Sequence, residues 1–475
     1  MRKRFEQQLV IGTIPISEVK INIKSRDSIA PFLAALQKIY LTPEYNNRVF
    51  CILEEYLVKG KAKTGRPGMN LWQIFVLAQF RLCLNISYDR LHDLANNHKN
   101  LRLIMGIEKG FGHLPCEIGY QNIIDNVGLL NDEIVKKLNA IIVEFGHDVF
   151  KKKEAEVLRL KTDSFVVESN VHFPTDYNLL WDCARKCLDT VFFFLNKYPD
   201  IQGWRKLNNW YSETKSMMRV LGKANSGGKD KEKRVKQAAQ QYLQKTRMLA
   251  DKIAEAQNEL PMLDNDDLFQ LINLERFSIL LLKHIDLVDR RLIKGERIPQ
   301  EEKMFSIFEE YTEWITKGKL HPNVELGKKV AITTDQYNLI VDYLVMDKQA
   351  DSEIILKVAD KIFKKHKVGS WSFDKGFWHS DNWFLLKDHV TKLVMPKKGK
   401  RNIAQEAEET DKGFVRLRMK HSAIESNINE LEHSGLDRCP DRGFSHFKRY
   451  VGLAVCAYNL KRIGKKLLED QKQAA

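Results

Sequence analysis

Residues 157–168 (VLRLKTDSFVVE) alternate apolar and polar positions. The period of two predicts a strand with Leu158, Leu160 and Val166 on one face and Arg159, Lys161 and Asp163 on the other. Upstream the spacing is helical. Residues 28–60 carry it, and so do Leu71, Ile74, Phe75, Leu77 and Ala78, with Asn70 placed as N-cap and Ser87 as the cap of the next helix. Residues 119–148 predict another helical stretch, and residues 178–196 a buried one. From about 200 to 325 the pattern is polar, basic and helical, with 234–257 and 266–292 placed to pair as antiparallel helices. Strand signals return at 328–346, where two β-rich runs flank Asp335–Asn338 as a hairpin. An amphipathic helix (351–366) and a short strand (368–373) follow. That strand sets Ser370, Ser372 and Asp374 on one face and Trp371 and Phe373 on the other. Residues 380–388 read as a helix and 391–396 as a strand. Next comes one long helix with Arg418, His421, Glu425, Asn429 and Glu432 along a single face, and then an amphipathic C-terminal helix.

With the 200–325 stretch set aside, the order is three strands, a helix, a fourth strand and a late helix. The ribonuclease H-like fold has that order. The expectation is therefore a mixed α/β (α+β) protein with an RNase H-like core and a mixed sheet. The core takes residues 155–182 and 328–462. A helical insertion occupies 183–327, an all-α DNA-binding region 1–150, and a polar tail 463–475.

Charge narrows the partners. A formal net charge of +15 and a pI near 9.2 favour a polyanion: DNA, RNA or an anionic membrane surface. No apolar run approaches the ~20 residues of a membrane span. Seven scattered cysteines, with only Cys183 and Cys187 close together, match neither a zinc site nor a secreted disulfide framework. A cytoplasmic, DNA-associated protein is expected. The helices before residue 100 have helix-turn-helix-like spacing. Arg66, in the loop Gly65-Arg66-Pro67-Gly68, reads either as a minor-groove probe or as part of a loop that starts a helix. The run Lys229, Lys231, Lys233, Arg234 and Lys236 reads either as a solvated helix face or as a contact to the DNA backbone.

Aspartate is depleted from strands, so Asp163 in mid-strand calls for a use. Asp374 and Glu425 are its candidate partners. Three carboxylates from three elements can bind and flank two Mg²⁺ (or Mn²⁺) ions about 3.5–4 Å apart, the arrangement that activates an oxygen nucleophile and relieves charge on a phosphodiester. Arg418 and His421, one to two turns before Glu425, stand ready to touch phosphate. A lone Asp or Glu is usually a surface charge. Joint placement on these elements is what favours a site.

The runs TDSFVVESNVHFPTDYNLLWD, FDKGFW and AIESNINELEHSGLDRCPDRGFSHFKRYVGLAVCAYNL resemble bacterial insertion-sequence transposases of the DDE class, most nearly the group catalogued as ISNCY. The segment TGRPGMNLWQIFVLAQFRLCLNISYDRLHDLANNH resembles their N-terminal domain. The resemblance covers most of 60–182 and 328–462. It implies a bacterial, nucleoid-associated enzyme that cuts double-stranded DNA at terminal inverted repeats and joins the 3′-OH ends to target DNA. It implies a homodimer in the paired-end complex, and it assigns the catalytic metal ligands to Asp163, Asp374 and Glu425. Two features depart from the pattern. Arg418, His421 and Glu432 stand where relatives often carry a Tyr, an Arg and a Lys around the Glu, and the insertion lies between the first two acids. Two other readings stand beside the transposase: an RNase H-like nuclease without strand transfer, and a non-catalytic DNA-binding descendant.

Overall fold

The computed structural model describes residues 2–7, 12–60, 68–107, 116–316 and 323–474. Two compact units result. One comprises Met1–Asn170 with Ile315–Ala475, the other Val171–Trp314.

The first unit is built on a mixed, open, seven-stranded sheet. Its strands are β1 (Leu158–Ser169), β2 (Glu313–Thr316), β3 (Val324–Thr334), β4 (Ile340–Val345), β5 (Val368–Phe373), β6 (Lys392–Val394) and β7 (Arg438–Cys439). The order is β2-β3-β1-β5-β6, with β4 also on β3 and β7 on β1. The hairpin strands β3 and β4 are antiparallel, and β3 runs antiparallel to β1. Strands β5 and β6 run parallel to β1. Strand β7 takes the far end of β1, at Glu168 and Ser169. A Cβ at Gly327 would sit 2.0 Å from the carbonyl oxygen of Val167, so only glycine lets β3 pass this close to β1.

The two faces of β1 behave as its alternation predicts in the first half. Leu158 and Leu160 are buried, Arg159 is exposed, and Lys161 and Asp163 are half-buried. In the second half Phe165, Val166 and Val167 are all buried, because both faces of the strand are covered there. On the Leu158 side the helix Asp351–Phe363 packs Ile354, Ile355, Val358 and Ile362 with Trp371 and Phe373. Each such side chain contributes about 1.5–3 kcal/mol by leaving water.

The C-terminal helix Phe444–Ala474 is buried at nearly every position from Phe447 to Leu460. It is flanked by the helices Ile29–Leu41, Leu71–Cys83 and Asp132–Val149. At Gly464 a Cβ would meet the Pro31 carbonyl oxygen at 1.6 Å, so the glycine sets this helix crossing. A buried amide network joins the same elements. Asn459 Nδ2 donates to Asn139 Oδ1 (2.9 Å) and to the Ile340 carbonyl (3.0 Å), and its Oδ1 accepts from the Ile340 amide (2.8 Å). His147 Nε2 lies 2.7 Å from Asp335 Oδ2 at the hairpin turn. The helices of residues 1–150 thus share one core with the sheet.

Several expected elements differ. The stretch 119–148 is two helices, Tyr120–Val127 and Asp132–Val149, because Asn131 caps the second through the Ile134 amide. The single long helix carrying Glu425 is divided into Lys412–His421, Ala423–Leu431 and a π-helical turn, Glu432–Leu436. The first break falls at Ser422, whose hydroxyl bonds back to the Met419 carbonyl; the last turn ends at Gly435, with φ +108°. Of the expected polar tail, 463–475, the described part through Ala474 is the end of the C-terminal helix, with Ile463 and Leu468 buried.

The second unit is helical. Its main helices are Asp176–Lys197, Leu207–Asn225, Lys231–Gln257 and Asn265–Val288. Phe194, Leu221, Tyr242, Leu249 and Leu281 fill its core. It begins at Val171 rather than at residue 183, since the helix from Asp176 packs its Leu179, Leu180 and Cys183 into that core.

Candidate active site

Strand register brings the first two acids together. In the parallel pairing of β1 with β5, Lys161 is opposite Ser372 and Thr162 opposite Phe373. One residue further, Asp163 and Asp374 leave adjacent strands, ~4.8 Å apart, toward the same face. Beneath them the pairing is held by side chains of the opposite face. Trp371 Nε1 donates to Thr162 Oγ1 (2.8 Å), and Thr162 and Thr333 share a hydroxyl hydrogen bond (2.7 Å). All three residues are essentially buried.

Glu425 comes from the first turn of Ala423–Leu431, which packs against β1. Ile424, Asn427 and Leu431 face inward, and Asn427 Oδ1 accepts from Tyr458 Oη of the C-terminal helix (3.0 Å). That anchoring leaves Glu425 exposed at the edge of the buried stripe, as Asp374 is exposed at the end of β5.

The electrostatics tie the acids into one group. Burial pushes the Asp163 carboxyl up to about 6, and the charges of Asp374, Asp351 and Glu425 push in the same direction. The Ser164 amide, donating to Asp163 Oδ1 at 2.7 Å, opposes them. Burial also lowers the nearby Lys161 ammonium. Asp351 was not among the acids singled out by pattern. It opens the helix Asp351–Phe363 and reaches β1 from the other face, where Ser164 Oγ donates to its Oδ1 (2.7 Å) and Lys329 Nζ pairs with its Oδ2 (3.0 Å). Its only sequence signal is an acid at the start of a helix that follows the hairpin.

His421 closes the same face. Its Nδ1 lies 3.0 Å from Ser372 Oγ, and its Nε2 is buried with no hydrogen-bond partner among the described residues. Burial lowers the imidazole to about 4, against the pull of Asp374. At neutral pH it is therefore uncharged and offers no cation to phosphate. Arg418, one turn earlier, is exposed and holds its charge outward. The helix that carries both is fixed at its start, where Asp411 accepts from the Phe414 amide (3.0 Å) and pairs with Lys392 of β6 (2.7 Å).

Beside the Asp374 turn lies a cleft of about 780 Å³ lined by Trp378, Trp383, Phe384, Lys387 and Lys397. Lys387 stands 4.1 Å over the Trp383 ring. Aromatic faces beside ammonium groups suit nucleic-acid bases and their phosphates; sequence pattern did not single them out.

The remaining expected contacts lie elsewhere. Lys229, Lys231, Lys233, Arg234 and Lys236 are exposed in the helical unit, around the start of Lys231–Gln257. Like charges at a helix N-terminus oppose the macrodipole, which favours an anion there. Arg66 lies outside the described residues.

Three carboxylates suit a hard divalent cation, and such an ion would stabilise the ionised form of Asp163 that burial and its neighbours disfavour. Among the described residues no group of three or more His, Cys, Asp or Glu side chains is placed to hold a metal ion. In comparisons with known proteins, no family model, curated protein or solved structure matches the chain.

Proposed function

We propose that the protein is a metal-dependent DNA transposase of the DDE class, with an RNase H-like catalytic core. The observation that carries this reading is the register of β1 on β5, which brings Asp163 and Asp374 side by side, with Glu425 on a helix packed against β1. The strand order also supports it. Read from β4 through β3, β1, β5 and β6, the sheet has two antiparallel pairings and then two parallel ones.

Asp163, Asp374 and Glu425 are the residues that would hold Mg²⁺ or Mn²⁺. When bound, such ions activate the attacking oxygen and neutralise charge on the phosphodiester. The chain's own residues set the stage. Thr162 and Trp371 fix the register of the two aspartates. His421 stays neutral, so it neither pairs with Asp374 nor competes with a cation for it. Arg418, the basic run of the helical unit and the overall charge of +15 suit the DNA backbone.

Strand transfer distinguishes this reading from a hydrolytic nuclease. The purified protein, incubated in Mg²⁺ with a labelled fragment carrying the DNA that flanks its own coding region and with a supercoiled plasmid, is expected to give plasmid-joined label. Cleaved fragment with no joined product would make it a nuclease. Intact DNA in both Mg²⁺ and Mn²⁺ would leave only a DNA-binding role.

A further inference from the structure

The helix Asn265–Val288 has two apolar faces. Leu274, Phe277, Leu281 and Val288 point into the core of the helical unit. The opposite face is bare: Leu268 is 44 % exposed, Phe269 62 %, Ile272 56 %, Ile279 60 % and Leu282 58 %. Steps of three and four residues align them as one stripe. Glu275 and Arg276 interrupt it at its centre, and the exposed Lys283 stands at its end, opposite Leu268 about that centre. A solvated helix does not need five large apolar side chains on its outer face, and a patch of this kind marks an interaction site.

We propose that this stripe joins two copies of the chain through an antiparallel, two-fold pairing of the helix with itself. The sequence is self-complementary about a point between Glu275 and Arg276. An axis there sets Ile272 against the partner subunit's Ile279 and Phe269 against the partner subunit's Leu282. Glu275 then faces the partner subunit's Arg276, and the same contact repeats by symmetry. A parallel pairing would instead set Glu275 beside its own copy. The apolar side chains amount to on the order of 500 Å² per copy and 1,000 Å² for the pair, the lower bound of a stable interface. Arg276 also pairs with Glu310 of its own chain, with both side chains about half exposed; such a surface pair contributes little and leaves the guanidinium available to a second carboxylate. The interface does not depend on the chemistry of the acids, and dimerisation without DNA cleavage would leave it intact.

The test uses the full chain with exposed Cys51 replaced by Ser. Sedimentation across a concentration series is expected to show twice the monomer mass for this protein. The variant Ile272→Glu/Ile279→Glu is expected to dissociate at concentrations roughly 100-fold higher, because two charges per copy enter an apolar contact. Both positions are exposed, so its circular dichroism should be unchanged. Register is read by cross-linking. Ile272→Cys and Ile279→Cys proteins, each alone, should form little inter-chain disulfide under mild oxidation, and their mixture should form it readily. A monomeric wild type, whether the stripe is bare or covered by the chain itself, overturns the proposal. So does a dimer that survives the double Glu variant, or cross-linking of the single variants as efficient as that of the mixture.

Discussion

Replacing Asp163 with Asn removes the charge that the surroundings oppose and keeps the shape. The folded carboxyl sits at about 6, against about 3.9 for an unperturbed aspartate. Two units correspond to about 3 kcal/mol. The sign follows from proton binding. Between pH 4 and 6 the folded state holds the proton more tightly than the unfolded state, so stability falls as pH rises through that window and the cost is complete above pH 6. At pH 4 the two proteins should be nearly equal. At pH 7.5, without metal, Asp163→Asn should be more stable by up to about 3 kcal/mol. In a unit of roughly 330 residues that raises Tm by roughly 4 °C. Added Mg²⁺ should then reverse the order, because it stabilises only a protein that can bind it. Differential scanning calorimetry at pH 4 and pH 7.5, with EDTA and with Mg²⁺, reads all four states. A variant less stable than wild type at pH 7.5 in EDTA, or a difference independent of pH, would refute the electrostatic argument.

Three further outcomes are expected. The depressed imidazole of His421 works in the opposite direction: its stability contribution is complete above pH 6.5 and lost as pH falls toward 4, so His421→Gln should flatten acid unfolding by about 3 kcal/mol, measured by urea titration at pH 4.5 and 7.5. Thr162→Val strands the Trp371 indole N–H and the Thr333 hydroxyl and should cost about 1–3 kcal/mol, with DNA cleavage falling more than the change in stability explains if register is what aligns the aspartates. Neutralising Lys229, Lys231, Lys233, Arg234 and Lys236 together should reduce the salt dependence of DNA affinity by up to roughly four in log–log slope; an unchanged slope in fluorescence anisotropy would mark the run as a solvated face.

Much of this arrangement is legible in the chain because it rests on short periods. The alternation around Asp163 places it on the opposite face from Leu158 and Leu160, and Ser370, Ser372 and Asp374 declare their shared face in the same way. Asn70 and Ser87 cap the helices they precede, through the amides of Gln73 and Arg90. What escapes is decided by distant parts of the chain. Asp351 matters through Ser164 and Lys329, which no local pattern links to it. Of the other acids worth considering, Asp335 is spent on His147 and the hairpin turn, and Glu430 on Lys461 and Lys465. Asp381 is exposed on a separate helix, and Asp342 is half-buried within β4. At Ser422 the backbone itself stays helical, and only its hydroxyl, bonded back to the Met419 carbonyl, marks the boundary. The union of the N-terminal helices with the sheet depends on Asn139 meeting Asn459, some 320 residues away.

In the proposed function Asp163, Asp374 and Glu425 act together on DNA through divalent metal. The direct measurement is cleavage, in Mg²⁺ and in Mn²⁺, of a fragment carrying the DNA that flanks the coding region, by wild type and by Asp163→Asn, Asp374→Asn and Glu425→Gln proteins matched for DNA affinity. Cutting is expected from wild type only, abolished by EDTA, with each single variant reduced to background while still binding the fragment. Undiminished cutting by the Asp374→Asn protein, or cutting by wild type that persists in EDTA, would contradict it.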